Sequence, residues 1–125
     1  MFTPTIKLEH ADARGEIYSI ALPDGHEVML VHSTPGSLRG GHSHSCPEGI
    51  LMVSGLMEYH IMHGDESNTY LMVAGNPWHH GPGVIHMGQF LEDSWLIEVK
   101  EAKKGDWTQT DYEPYREKVR ASSRG

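Results

Sequence analysis

Short runs of β-forming residues, most of them closed by glycine or proline before a helix could mature, set the limits on this chain. The runs cover 16–22, 27–32, 49–54, 56–62, 69–74, 84–90 and 94–100. Turn residues separate them: Pro23-Asp24-Gly25, Gly55, a polar loop over 63–68, Gly75-Asn76-Pro77, Gly81-Pro82-Gly83 and Leu91-Glu92-Asp93. Fourteen glycines and seven prolines in 125 residues break most of the apolar runs at strand length. Short strands at regular spacing with no alternating helices predict an all-β sandwich or barrel. Residues 16–22 and 27–32 read as a hairpin, and Ile6 and Leu8 as a short edge strand before it. Within 56–62, Met57, Tyr59 and Ile61 face one way, with Glu58 and His60 opposite. Within 84–90, Val84, His86, Gly88 and Phe90 share a face; within 94–100, Trp95, Ile97 and Val99 do. Trp78 and Trp95 are expected to pack in the core.

The chemistry concentrates in 40–55: Gly-Gly-His-Ser-His-Ser-Cys-Pro-Glu-Gly-Ile-Leu-Met-Val-Ser-Gly. His42 and His44 are two apart, so an extended strand presents both imidazoles on one face. Neutral ring nitrogens on one face suit a divalent transition metal. Pro47 cannot donate to a sheet ladder, so the chain turns there and Glu48 opens the next strand. An adjacent antiparallel strand would bring that carboxylate back beside the histidines. Two histidines and a carboxylate leave open positions for water or substrate. Ten histidines in the chain make a chance His-x-His the competing reading. A second stretch, Gly75 to His86, adds two glycine-rich turns followed by a histidine on an apolar strand.

Together the two stretches resemble the paired motifs of the cupin superfamily. The first motif is matched by Gly36, His42, His44, Glu48 and Gly55 in spacing. The second is matched by Gly75, Gly83 and His86, with Gly81 where a proline belongs and Phe90 where an asparagine belongs. The resemblance implies a double-stranded β-helix, a jelly-roll-like barrel, and a metal held by His42, His44, Glu48 and His86. The cofactor expected is one divalent transition ion: Fe, Mn, Ni or Zn. A weaker similarity, in Asp12-x-Arg14-Gly15 and Arg39-Gly-Gly-His42-Ser-His44, is to the nucleotide-sugar ketoisomerases and epimerases of that superfamily. There histidine transfers protons and many members need no metal; the retained Glu48 and His86 speak against that assignment.

Length allows one domain, 1–125, with a core over about 15–100 and a polar tail over 101–125. In the tail, 111–119 reads as a short helix with Pro114 in its first turn, and 121–125 as a frayed end. A formal charge of −7 argues against nucleic acid and anionic membrane surfaces. The N-terminus lacks the basic-then-apolar pattern of a signal peptide, and no run approaches membrane-spanning length. Cys46 is the single cysteine, so no internal disulfide forms. The expectation is a cytoplasmic homodimer, paired through edge strands near the N-terminus.

Other residues carry two readings each. Cys46, between the ligand positions, could reach a metal or act in redox chemistry, but reads more simply as a small loop residue. Of the adjacent His79 and His80 only one can face inward, and a loop or surface role is the simpler reading for both. His60 is a weak pocket candidate. Arg14 and Arg39 are either substrate contacts or partners of the many carboxylates. The expected function is a metalloenzyme acting on a small polar substrate, with isomerase or lyase chemistry on a sugar or sugar acid slightly preferred. The rivals are an Fe(II)-dependent oxygenase, a non-enzymatic binding module, and a metal-free nucleotide-sugar isomerase.

Overall fold

The computed structural model describes residues 3–123. Eleven strands and one helix follow in chain order: β1 (Ile6–Asp12), β2 (Gly15–Ala21), β3 (Glu27–Ser33), β4 (Leu38–His44), β5 (Glu48–Ser54), β6 (Leu56–His63), β7 (Glu66–Val73), β8 (Pro77–His80), β9 (Ile85–Phe90), β10 (Ser94–Lys100), β11 (Gln109–Asp111) and α1 (Glu113–Ser123). They form two antiparallel sheets, ordered β1-β2-β3-β10-β5-β8 and β11-β4-β9-β6-β7. After β3 the chain crosses repeatedly between the sheets, with only β6 and β7 staying together, which is how a jelly roll closes. Of the frayed end expected from the sequence, 121–123 continue α1, and 124–125 lie outside the described residues.

Alternation places the core. Met57, Tyr59 and Ile61 of β6 are buried, while Glu58 and His60 are half-buried on the other face. Met52, Met57 and Phe90 are almost completely buried and meet between the sheets with Val31, Ile50 and Leu96. A second apolar cluster lies outside the barrel, where Tyr115 and Val119 of α1 cover Met87 of β9. The tail is therefore structural: β11 pairs with β4 in register Gln109↔His44 to Asp111↔His42, and the helix behind it roofs the same sheet. A polar composition hid this, because only every third or fourth residue of α1 needs to be apolar to bury one stripe.

Three local expectations change. The polar loop shrinks to the turn at Gly64-Asp65, because His63 and Glu66 already pair across β6 and β7. Strand β5 does not return beside β4. Both edges of β4 are taken, by β9 and β11, so the corner at Ser45-Cys46-Pro47 sends the chain to the opposite sheet. Trp95 points away from the core: it stacks on His32 and Tyr18 on the outer face, and its neighbours Leu96 and Glu98 point inward. Trp78 does pack against the main core cluster.

Candidate metal and substrate site

Both sheets contribute to one cavity of about 550 Å³. Strand β4 brings His42 and His44. A bulge between Gly40 and His42 sets their register, so that His42 stands opposite His86 of β9. Gly40 and Gly41 hold φ of 99° and 85°, the left-handed region that glycine tolerates best. A Cβ at Gly40 would lie 2.8 Å from the His86 carbonyl oxygen, so the bulge can close only with glycine there.

From the facing sheet, β5 begins at Glu48 and pairs with β8 in register Glu48↔His80. The carboxylate thus reaches the histidines from across the barrel. Nδ1 of His44 is 2.6 Å from Glu48 Oε2, and Nε2 of His86 and of His80 lie 3.6 and 3.8 Å from Oε1. The imidazole rings crowd: His42–His44, His42–His86 and His80–His86 centroids are 4.6, 4.8 and 4.8 Å apart. Two overlapping trios, His42/His44/His86 and Glu48/His80/His86, each gather their ligand atoms within 4.8 Å.

The electrostatics favour a bound cation. Glu48 is fully buried, yet neither carboxylate oxygen has a hydrogen bond, nor does Nδ1 of His44. The short His44–Glu48 approach is a contact in distance but not in alignment, so both atoms remain unsatisfied. A buried carboxylate without donors costs several kcal/mol (roughly, by transfer arguments) unless a positive charge meets it. Burial also pushes His42 and His86 down to about 4 and about 3, with the charge of His44 adding to the effect at His42 and those of His42 and His80 at His86, so both are neutral donors at ordinary pH. His86 Nδ1 is set against the Val84 carbonyl at 3.1 Å, leaving Nε2 for the cavity. These donors fit a divalent transition ion.

His80 belongs to this group, against its reading as a loop residue. It is buried, lies 3.1 Å from the Tyr59 hydroxyl, and burial lowers its pKa. Its neighbour His79 points out and pairs with Glu101. The β5–β8 register decides between the two, and no single-strand pattern reveals it. His60 is excluded from the cavity, because alternation turns it outward to Thr69 Oγ1 at 3.0 Å. Cys46 is buried but joins neither trio, and burial raises its thiol pKa, which disfavours the thiolate.

Two cavity residues escape a sequence reading altogether. Glu98 and Lys100 of β10 line the site as an ion pair. Burial opposes charge on both, but each holds the other ionised: Glu98 sits below and Lys100 above its ordinary range. Lys100 also lies 4.6 Å over the Trp107 ring, whose edge meets His44 at 5.2 Å. The alternation of β10 carries the only signal, and it misleads when its apolar face is assumed to be the inner one.

The two arginines separate. Arg14 is clamped by Asp12, Nη2 to Oδ2 at 2.8 Å, and donates Nη1 to the Leu38 carbonyl. Arg39 is half-buried and donates only to neutral acceptors, Ser33 Oγ at 2.7 Å and the His32 carbonyl at 3.0 Å. Both line the cavity.

No protein-family model matches the chain, and no curated protein matches it. Solved structures do. The capsular polysaccharide assembling protein CapF from Staphylococcus aureus is 22% identical at a TM-score of 0.70, over 90% of this chain and 33% of that one. A tryptophan-to-tyrosine variant of the oxalate decarboxylase from Bacillus subtilis is 20% identical at 0.64, over 80% and 28%. An oxalate oxidase in complex with the substrate analogue glycolate is 15% identical at 0.61, over 67% and 45%. The chain thus spans about a third of the length of the first two. At these identities the likeness is one of architecture, and with the two antiparallel sheets and the histidine-lined interior it shows that this chain has a cupin-type fold.

Proposed function

We propose that this protein is a metalloenzyme in which His42, His44, Glu48 and His86 hold one divalent transition ion. The observation that carries the reading is Glu48, a fully buried carboxylate without a hydrogen-bond donor among the described residues, facing the imidazoles of His44, His80 and His86. When bound, such an ion supplies Lewis-acid polarisation of a substrate oxygen. The chain's own residues do the rest. His80 stands beside Glu48, its Nε2 within 3.8 Å of the carboxylate and 3.1 Å from the Tyr59 hydroxyl, which fixes the imidazole at the edge of the site. The apolar walls Val31, Ile50 and Phe90 exclude water.

The substrate proposed is small and polar, and Arg39 favours one with an acidic group, such as a sugar acid. Its guanidinium faces the cavity with no carboxylate partner among the described residues, in a chain of net charge −7. Isomerase or lyase chemistry is the preferred class. Proteins of similar fold carry names from capsular polysaccharide assembly to oxalate decarboxylation, so the fold does not choose the reaction. The metal-free isomerase reading is disfavoured by the same burial: a proton carrier works best near the operating pH, and His42 and His86 are driven well below it. A cytoplasmic location belongs to this reading. No helix among the described residues is long and apolar enough to cross a membrane, and the lone Cys46 is unpaired.

Metal analysis of the purified protein tests the proposal. Wild type is expected to carry close to one transition ion per chain, and His42→Ala, His44→Ala and His86→Ala each to lose most of it. Full occupancy in all three variants overturns the site. A substrate panel assayed with and without oxygen then separates isomerase or lyase turnover from oxygenase turnover, and ligand binding without turnover marks a binding module.

A further inference from the structure

The polar tail lies against the strand that carries two of the candidate ligands. Its contacts follow β4 from the bulge to the corner. Arg116 Nε donates to the Gly40 carbonyl at 3.0 Å, the Tyr112 amide to the Gly41 carbonyl at 2.9 Å, and the Ser45 amide to the Thr108 carbonyl at 3.0 Å. Between these, Asp111, Thr110 and Gln109 of β11 pair with His42, Ser43 and His44. One side chain of β11 also bonds to a ligand ring: Gln109 Oε1 lies 3.3 Å from Nε2 of His44.

The direction of that bond follows from what holds the glutamine. Its amide nitrogen donates to Asp111 Oδ1 at 3.0 Å, because a carboxylate accepts. The amide oxygen therefore turns to His44. It can only accept, so the proton of that bond belongs to Nε2. An imidazole that binds a metal keeps one proton, and with Nε2 protonated Nδ1 is bare. This bare nitrogen is the atom 2.6 Å from Glu48 Oε2. His86 is set the opposite way. Its Nδ1 donates to the Val84 carbonyl at 3.1 Å, so its bare nitrogen is Nε2, 3.6 Å from Glu48 Oε1. Two bare nitrogens thus meet the two oxygens of one carboxylate, and among the described residues no donor reaches either oxygen.

We propose that Gln109 is a positioning residue for the metal: it holds the His44 proton on Nε2 and so makes Nδ1 the ligand atom. Asp111 in turn holds Gln109, and its Oδ1 lies 3.5 Å from Arg116 Nη2 of α1. The inference rests on the metal reading of the site and deepens it, since it makes the tail a part of the metal centre. Backbone pairing between β11 and β4 would fix the strand but not the proton, because ladder bonds do not touch the ring. Partners of this kind orient a ligand ring and raise its basicity.

Zinc titration of the full chain, with proton–nitrogen correlation spectra of the histidine rings, tests it. Wild-type His44 is expected to carry its proton on Nε2 before and after zinc is added. Gln109→Leu keeps the bulk at an exposed strand position, so the chelator-treated variant should retain its circular dichroism. Its His44 should populate the other tautomer, and its zinc affinity should fall about 10-fold. Gln109→Glu combined with Asp111→Asn exchanges the partners: the new carboxylate accepts from His44 and the new amide donates to that carboxylate. Most of the affinity should return. A wild type that binds no zinc overturns the metal reading and this inference with it. Zinc binding that Gln109→Leu leaves unchanged overturns this inference alone. So does a wild-type His44 protonated on Nδ1, and so does a double variant as weak as Gln109→Leu, which would leave Gln109 a strand-pairing residue only.

Discussion

Glu48 Oε2 lies 2.6 Å from Nδ1 of His44, and neither atom gains a hydrogen bond from the approach. Two groups that close without pairing are arranged for a third. Glu48→Gln removes the charge and keeps the shape. It is expected to lower metal affinity at least 10-fold. In chelator-treated protein the same change is expected to raise stability by about 1–3 kcal/mol, because an uncompensated buried charge is gone. Opposite signs in thermal melts with and without metal are the signature. A loss of stability in both conditions would show that Glu48 is held by the protein alone.

The buried imidazoles set a pH dependence for the metal-free protein. His42 and His86 are lowered from 6.5 to about 4 and about 3, chiefly by burial. Between those values and 6.5 the unfolded chain binds protons that the folded chain refuses, so stability falls as pH drops through this window. Below the folded pKa values the effect levels off. Each group contributes about 1.4 kcal/mol per pH unit while it is out of step. Urea denaturation of chelator-treated protein between about pH 7 and pH 4.5 should show the loss, and His42→Asn should shallow the slope. An unchanged slope in that variant would place His42 in water.

Much of this architecture was legible because one physical rule, alternation broken by glycine and proline, governs both strand length and face. The hairpin β2–β3 and the strands β5, β6, β9 and β10 fall within a residue or two of the expected runs. The approach of His42, His44 and Glu48 to one another was expected from their spacing, and that of His86 from the resemblance to the second cupin motif. The route was not, since Glu48 arrives from the opposite sheet and not from a neighbouring strand. His80, Glu98 and Lys100 were illegible for a related reason. Their inward direction depends on pairings between strands distant in sequence, and for β10 on which of two faces the second sheet covers. Trp95 was misplaced by the same ambiguity, because a face that meets no other part of its own chain still reads as core. The tail was undervalued because Tyr115 and Val119 bury a stripe that its average polarity conceals.

His32 tests a charge on the outer face of the barrel. Nδ1 lies 2.7 Å from Glu16 and Nε2 2.8 Å from Asp93, and these two carboxylates raise its pKa above 6.5. Its ring also stacks on Trp95 at 4.7 Å. A raised folded-state pKa gives stability that is complete below the unfolded value and fades as pH rises through the folded one. His32→Gln should therefore cost more near pH 6 than near pH 9. The difference is expected to reach about 1 kcal/mol at most, because the carboxylates are partly in water. Equal costs at both pH values would assign His32 to stacking alone.

Two motif glycines share a backbone conformation and should differ in consequence. Gly36 and Gly55 have φ of 83° and 90°, where a side chain costs about 1 kcal/mol in the backbone alone. At Gly36 an added Cβ meets nothing within 4 Å, so Gly36→Ala should cost only that much. At Gly55 the same atom falls 2.2 Å from Ser94 Oγ, 2.5 Å from the Asp93 carbonyl and 2.7 Å from Ser94 Cα. Two of those three are backbone and cannot rotate away. Ser94 is itself fully buried and bonded to the Leu56 amide and the Glu92 carbonyl, so it cannot give way without breaking the turn between β5 and β6. Gly55→Ala should therefore cost about 3 kcal/mol or more. Paired urea melts of the two variants measure the contrast, and equal costs would mean that the β9–β10 turn moves aside freely.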